Sequence, residues 1–200
     1  MTVIQPTTGL ILAGGRSSRM GQNKALLQLQ GKTLLQRAIE RLAPQVEGLL
    51  ISTNSPLASA GSYPQLNDRV GGYAGPLAGI LTGLEWLAEQ QSRHQWLLSV
   101  AVDTPFFPLD LNRNLQQAAQ TDTLVIAASS GKRAHPTCAL WHIRVLPRLR
   151  HFLETDQQRR MMQFVESLHY QQVEFQSAPV DPFFNINTVA DLNEAAAGLY

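Results

Sequence analysis

This chain has little to offer disulfide chemistry, membranes or long-range electrostatics. Its 200 residues include one cysteine, Cys138, so no intrachain disulfide framework can form, and that usage fits a reducing compartment. No run is apolar for long enough to span a bilayer. The stretch from Met1 to Thr8 is polar and too short for a signal peptide, so a cytoplasmic protein is expected. The formal net charge is +1, which leaves no global basic field for nucleic acid. Any electropositive site must therefore be local. The five histidines lack metal-ligand spacing, and no Cys/His cluster exists to hold zinc. No nucleophile signature stands out, so covalent catalysis has little support. Internal repeats, low-complexity tracts and linkers are absent too.

What remains is a chain built for one folded core. Hydrophobic residues make up 44% of it, which argues against disorder, and the length suits a single α/β domain. The most informative stretch is Leu12-Ala13-Gly14-Gly15-Arg16-Ser17-Ser18-Arg19-Met20-Gly21-Gln22-Asn23-Lys24. It follows a short apolar run, Gly9–Leu12, that reads as a first strand. Adjacent glycines at a strand end let a ligand approach the backbone, because no Cβ stands in the way. Backbone N–H groups there can cradle phosphate oxygens, and Arg16, Arg19 and Lys24 add positive charge. Two other phosphate motifs fail on spacing. A P-loop needs Lys directly after its second Gly, then Ser or Thr, whereas Gly21 precedes Gln22-Asn23-Lys24-Ala25. The dinucleotide fingerprint needs three glycines in a G-x-G-x-x-G frame, and none lies near the first strand. A solvated basic loop is the competing reading of the same residues.

Apolar runs alternate with helical patterns along the chain, the signature of a parallel sheet covered by helices. Thr33 caps a helix predicted over 34–42, after a turn at Gln30-Gly31-Lys32. Leu49–Thr53 reads as a second buried strand, with Asn54 at its end. Asp68 lies in a Gly-rich loop running to Gly75, and Pro76 opens a helix, a favoured first-turn position. Trp96–Val102 is a nearly continuous apolar strand, as expected at the buried centre of a parallel sheet. Helices are predicted near 110–119, 143–152 and 160–168, and strands over 124–128, 136–141 and 173–175. Thr188-Val189-Ala190-Asp191 resembles a capping box that opens a last helix, with Asp in place of Glu.

Asp103-Thr104-Pro105 follows the most apolar strand. In open α/β sheets, ligands bind beyond the carboxyl ends of the strands, and Asp103 stands at such an end. A lone carboxylate suits Mg²⁺, which takes one or two protein carboxylates and completes its shell with phosphate oxygens and water. A turn-forming Asp before Thr-Pro is the plain alternative. Asn54 and Asp68 also favour turns whatever their function, but they sit at predicted strand ends on the same rim. His135-Pro136 reads as a strand entry, and Cys138 as an inert core residue. Arg159-Arg160 is either a solvated helix start or an anion clamp. In Phe184-Asn185-Ile186-Asn187-Thr188 two amides alternate with apolar residues, which in an extended segment puts both on one face.

These motifs resemble those of the molybdenum cofactor guanylyltransferases. The matching residues are Leu12-Ala13-Gly14-Gly15 through Arg19-Met20-Gly21 and Lys24, Gly75-Pro76-Leu77-Ala78-Gly79-Ile80, Asp103-Thr104-Pro105-Phe106, His135-Pro136-Thr137, and Phe184-Asn185-Ile186-Asn187-Thr188. They span nearly the whole chain in the family's order. Val189 stands where the family has proline after Asn-Thr. The resemblance implies a single three-layer αβα domain over 1–200 with a mostly parallel sheet. This is the Rossmann-like fold of the nucleotide-diphospho-sugar and glycosyltransferase-A-like transferases.

It further implies transfer of GMP from GTP to molybdopterin, or its molybdenum-loaded form, with release of pyrophosphate. Leu12, Ala13, Gly14, Gly15, Lys24, Asn54, Asp68 and Asp103 would form the GTP site. Arg19, Lys24 and Asp103 would serve catalysis, with Mg²⁺ on Asp103. Arg159, Arg160, Asn185 and Asn187 are the pterin-site candidates, placed in the C-terminal half. Cofactor-biosynthesis or acceptor proteins are expected partners. A cytidylyltransferase for the same pterin is the nearest rival, and Gly14-Gly15 after Ala13 favours guanine. A sugar-phosphate nucleotidyltransferase would leave the C-terminal motif unexplained. A non-catalytic pterin carrier would have no need of Lys24 or Asp103.

Overall fold

The computed structural model describes residues 4–14, 23–68, 75–90, 93–155, 160–177 and 180–197. The chain begins with strand β1 (Thr7–Leu12), all six residues of which are buried. A single 3-10 turn (Lys24–Leu26) and a two-stranded ribbon, β2 (Gln28–Leu29) and β3 (Lys32–Thr33), lead into helix α1 (Leu34–Leu42). Thr33 and Gln36 close a reciprocal capping box at its start, which satisfies two otherwise orphaned backbone donors. Next come β4 (Gly48–Ser52), β5 (Gln65–Leu66), α2 (Pro76–Glu89), β6 (Trp96–Ala101) and α3 (Leu111–Gln117). The second half holds β7 (Val125–Ser130), β8 (Arg133–His142), α4 (Leu146–Thr155), α5 (Met161–Glu166), β9 (Tyr170–Phe175) and α6 (Val189–Ala196).

The main sheet has seven strands in the order β5-β4-β1-β6-β8-β7-β9. Strands β5, β4, β1 and β6 are mutually parallel. β8 runs antiparallel to both β6 and β7, and β9 is again parallel to β7. The reversal arises because β7 and β8 form a hairpin through Gly131 and Lys132, both at positive φ (53° and 68°). Two-residue hairpin turns that match strand twist require that region. The ribbon, β5 and this reversal are features the hydrophobic pattern does not predict.

Alternation along the strands divides the core between two faces, as period-2 side chains must. Ile11, Ile51, Leu98, Val100, Ile126 and Leu140 pack with α1, α3 and α6. Leu10, Leu12, Leu50, Leu97, Val125 and Trp141 pack with α2, α4 and α5. The result is the expected three-layer αβα arrangement with a mostly parallel sheet. α2 lies unusually close to the sheet. A Cβ on Gly79 would stand 2.5 Å from Ser52 Oγ and 2.9 Å from Leu12 Cδ2, and one on Gly83 would stand 2.9 Å from Leu97 Cδ2. Two glycines one turn apart thus seat the helix on β1, β4 and β6, and they set where its N-terminus points. Among the described residues, no helix is long and apolar enough to cross a membrane.

Candidate functional site

The carboxyl ends of the parallel strands gather the polar residues singled out above. β1 ends at Leu12 and continues into Ala13 and Gly14. The Ala13 N–H donates to Ser52 O at 2.8 Å, and Val102 N–H to Leu12 O at 3.1 Å. The sheet therefore claims Ala13's backbone donor, and any backbone N–H offered to a ligand starts at Gly14. A Cβ on Gly14 would be 3.8 Å from Asn54 Nδ2, which puts this glycine beside the ends of β4 and β5.

Asn54 and Asp68 clasp each other there. The Asn54 amide donates to Asp68 Oδ2 at 2.9 Å, and the Asp68 N–H donates to Asn54 Oδ1 at 3.0 Å. The two residues follow strands in direct register, Ser52 opposite Leu66. Asp68 Oδ1 has a 3.5 Å contact from the Ser52 hydroxyl.

A cleft of about 340 Å³ opens between the end of β1 and the chain after β6, lined by Gly14, Lys24, Pro76, Asp103, Thr137 and Asn185 among others. Gly75, at φ 65°, turns the chain into α2, and Pro76 begins the helix. The positive end of a 14-residue helix therefore borders the cleft, an environment that favours anions. On the far side the pairing of β8 with β7 slips between Ala127 and Ala128. Ala127 faces Ala139 and Ala128 faces His135, so Pro136, Thr137 and Cys138 form a bulge. Pro136 has no N–H for the ladder, and the bulge re-aims the chain so that Thr137 reaches the cleft.

Lys24 and Asp103 meet inside it. Lys24 Nζ lies 2.7 Å from Asp103 Oδ2, with the two side chains 23% and 21% exposed. The same ammonium donates to Asn187 Oδ1 at 2.7 Å. Thr104 Oγ1 donates to Asn185 Oδ1 at 2.6 Å, and Ile186 N–H donates to Asp103 O at 2.8 Å. The segment 184–188 is thus laid across the end of β6. Both amides point toward that strand end, as the alternation predicts. They do not lie apart from the nucleotide-site candidates: Asn187 shares a cation with Asp103.

Several residues hold this arrangement. The Arg41 guanidinium donates to Phe107 O at 2.7 Å and Phe106 O at 3.2 Å, pinning the loop after Asp103 to α1. Burial, with the nearby Arg37 charge, lowers the Arg41 pKa. Asp191 Oδ2 accepts from the N–H groups of Asn187 (2.7 Å) and Thr188 (2.9 Å), closing the expected capping box of α6. These backbone bonds, Asn187's first, hold the Asp191 carboxyl below its ordinary value. His135 is buried, stacked on Phe183 and 2.7 Å from Ser130 Oγ. Ser130 in turn donates to Asp181 at 2.8 Å. Desolvation lowers the His135 pKa against the opposing pull of Asp181. His135 is hydrogen-bonded as expected, but it lies within β8, which starts two residues earlier than the expected entry, at Arg133. Cys138 is buried, and its thiol is pushed up to about 12 by desolvation.

Not every candidate gathers here. Asn54 and Asp68, clasped to each other, do not line the cleft, and neither does Arg160, at the exposed N-cap of α5. Gly15, Arg16, Arg19 and Arg159 lie outside the described residues. Sequence reasoning passed over Thr104 as an anchor for Asn185 and Thr137 as a cleft wall. A hydroxyl directly after the strand-end carboxylate was the available signal for the first. The second had none, because the bulge depends on pairing with β7.

Comparisons with known proteins bear on the family and the fold. Residues 9–173 match the family model described as the MobA-like NTP transferase domain. A molybdenum cofactor guanylyltransferase from Mesorhizobium japonicum is 45% identical over 196 residues, spanning 94% of this chain and 93% of the relative. One from Yersinia pseudotuberculosis is 41% identical over 192 residues, spanning 94% of each. The crystal structure of molybdopterin-guanine dinucleotide biosynthesis protein A from Archaeoglobus fulgidus superposes with a TM-score of 0.76 at 21% identity, covering 95% of this chain and 97% of that one. At that identity the structural likeness supports the fold alone, but the sequence matches go further: this chain belongs to the molybdenum cofactor guanylyltransferase family of MobA-like nucleotidyltransferases.

Proposed function

We propose that this protein transfers GMP from GTP to molybdopterin, or to its molybdenum-loaded form, giving the guanine dinucleotide cofactor and pyrophosphate. The observation that carries this reading is the meeting of Lys24, Asp103 and Asn187 at the end of the central strand, in a chain so similar to guanylyltransferases. The proposed domain plan places GTP along the first-half strand ends, at Leu12, Ala13, Gly14, Gly15, Asn54 and Asp68. The acceptor enters the same cleft from the side of Asn185 and Asn187. Arg19 remains a candidate for the triphosphate, and Arg159 and Arg160 for the pterin. A cytoplasmic setting and hand-over to cofactor-biosynthesis or acceptor proteins belong to the same proposal.

The chemistry asks mainly for positioning and charge neutralisation. A phosphate oxygen of the pterin attacks the α-phosphorus of GTP and pyrophosphate leaves in line. A phosphate monoester is already largely ionised at neutral pH, with a second pKa of about 6, so no strong general base is needed. The Lys24 ammonium offsets charge on the triphosphate. Gly14 admits the nucleotide close to the backbone, and the start of α2 faces its anionic part.

The residues also fit a magnesium ion. Among the described residues no group of three or more His, Cys, Asp or Glu could cage a metal, and Asp103 offers a single carboxylate in an open cleft. That donor set suits a cation that draws most of its shell from phosphates and water. Asp103 would hold Mg²⁺, and the ion would supply charge neutralisation for the triphosphate and its leaving group.

The test is pyrophosphate release with molybdopterin and each of the four nucleoside triphosphates. GTP should be used far better than CTP, because a site matched to guanine leaves polar groups unpaired with cytosine. Equal turnover of the two would overturn the assignment.

A further inference from the structure

Lys24 and Asp103, the charged groups among the described residues that line the cleft, are paired with each other. Lys24 Nζ stands 2.7 Å from Asp103 Oδ2, and the pair is 23% and 21% exposed, so water screens it only in part. On the function proposed above, on which this inference rests, Asp103 holds a divalent cation and Lys24 meets the triphosphate. The ion pair seen here competes with both of those contacts. A magnesium ion at the usual distance of about 2.1 Å from a carboxylate oxygen would stand within about 5 Å of an ammonium bonded to that same oxygen. That is a double positive charge beside a single one, with one carboxylate between them. Asp191, whose carboxylate also senses the Lys24 charge, has Oδ2 engaged by two backbone N–H groups.

We infer that Lys24 is a resident counter-ion that closes Asp103 to bare divalent cations, and that the nucleotide opens it. The arriving triphosphate offers the ammonium a more anionic partner. Lys24 then moves to the phosphates, and Asp103 becomes available to the cation that travels with them. Asn187 suits the waiting position, because its amide oxygen fixes the ammonium at 2.7 Å and leaves no charge behind when the ammonium departs. The site therefore takes metal and nucleotide together, and idle enzyme does not collect metal.

Binding of Mn²⁺ alone tests this. Free Mn²⁺ is followed by electron paramagnetic resonance during titration of the wild-type protein, Lys24→Met, Lys24→Gln, Asp103→Asn and the double variant Lys24→Met/Asp103→Asn. Circular dichroism and melting curves check each fold. Wild type should bind Mn²⁺ weakly. Each Lys24 variant should bind it about tenfold more tightly or better, since a pair this sheltered exceeds the few-fold effect of exposed ion pairs. The double variant should lose that gain. Lys24 variants that fold normally and bind Mn²⁺ no better than wild type overturn the inference.

A second titration, with preformed Mn²⁺·GTP, separates the two levels of the argument. If Asp103→Asn binds that complex as well as wild type does, Asp103 is no metal ligand, and the underlying functional reading fails along with the inference. If Asp103→Asn loses the complex while the Lys24 variants gain nothing with Mn²⁺ alone, the reading stands and the inference falls.

Discussion

Gly79→Ala sets two effects of known sign against each other. Alanine favours an interior helix position over glycine by about 1 kcal/mol. The new methyl, however, would lie 2.5 Å from Ser52 Oγ, 2.9 Å from Leu12 Cδ2 and 3.1 Å from Ser52 Cβ. The hydroxyl can rotate away, but the Ser52 Cβ cannot, so the helix or the end of β4 has to shift. Overpacking of this kind costs about 1–3 kcal/mol. The overpacking term wins, with a net loss of about 1 kcal/mol and a fall in Tm of about 2–4 °C for a chain of this size.

The displaced element is the first turn of α2, whose Gly75 and Pro76 border the cleft, so GTP affinity should fall as well. Gly14→Ala is the control. Among the described residues its Cβ meets nothing closer than 3.8 Å, so stability should stay within about 0.5 kcal/mol of wild type while nucleotide binding drops. Differential scanning calorimetry and GTP titration of both variants are the measurements. A Gly79→Ala protein that melts at or above the wild-type temperature would refute the reasoning, because propensity would then outweigh the close approach.

Other outcomes are expected on the same grounds. Lys24→Ala should cut turnover by about a hundredfold or more, in line with the loss of a preorganised charge at a developing anion, while Tm moves little; a comparable fall in Tm with unchanged turnover would make the contact structural. Asp191 has a lowered folded-state pKa, so its contribution is present above the unfolded value and is lost as pH falls through the folded one. The difference in Tm between wild type and Asp191→Asn should therefore be present at pH 7 and shrink in melts below about pH 4, and a difference that grows with acid would contradict the assigned hydrogen bonds. Cys138, with its thiol pushed up to about 12 by burial, should resist iodoacetamide at pH 8 in the native protein and react once guanidinium unfolds it; rapid native labelling would show that the bulge opens readily.

Local pattern carried much of this protein. The Thr33 and Thr188 caps, the start of α2 at Pro76 and the buried strands were legible because each depends on residues a few positions apart, in periods of 2 or 3.6. The placement of Asp103 and Asn54 just past strand ends followed from the same periodicities. Strand order and the reversal of β8 were not legible, since they depend on which strands pair across the sheet. That pairing decided the chemistry of the cleft. Lys24 meets Asp103 across 79 positions and Asn187 across 163, and no local signal encodes such contacts. Pairing also bound Ala13's N–H to Ser52, and Asn54 to Asp68. Residue type and spacing supplied the set of polar groups at the rim. Only the assembled sheet, by bringing the last segment over the end of β6, decided which of them bond to one another and which face the cleft.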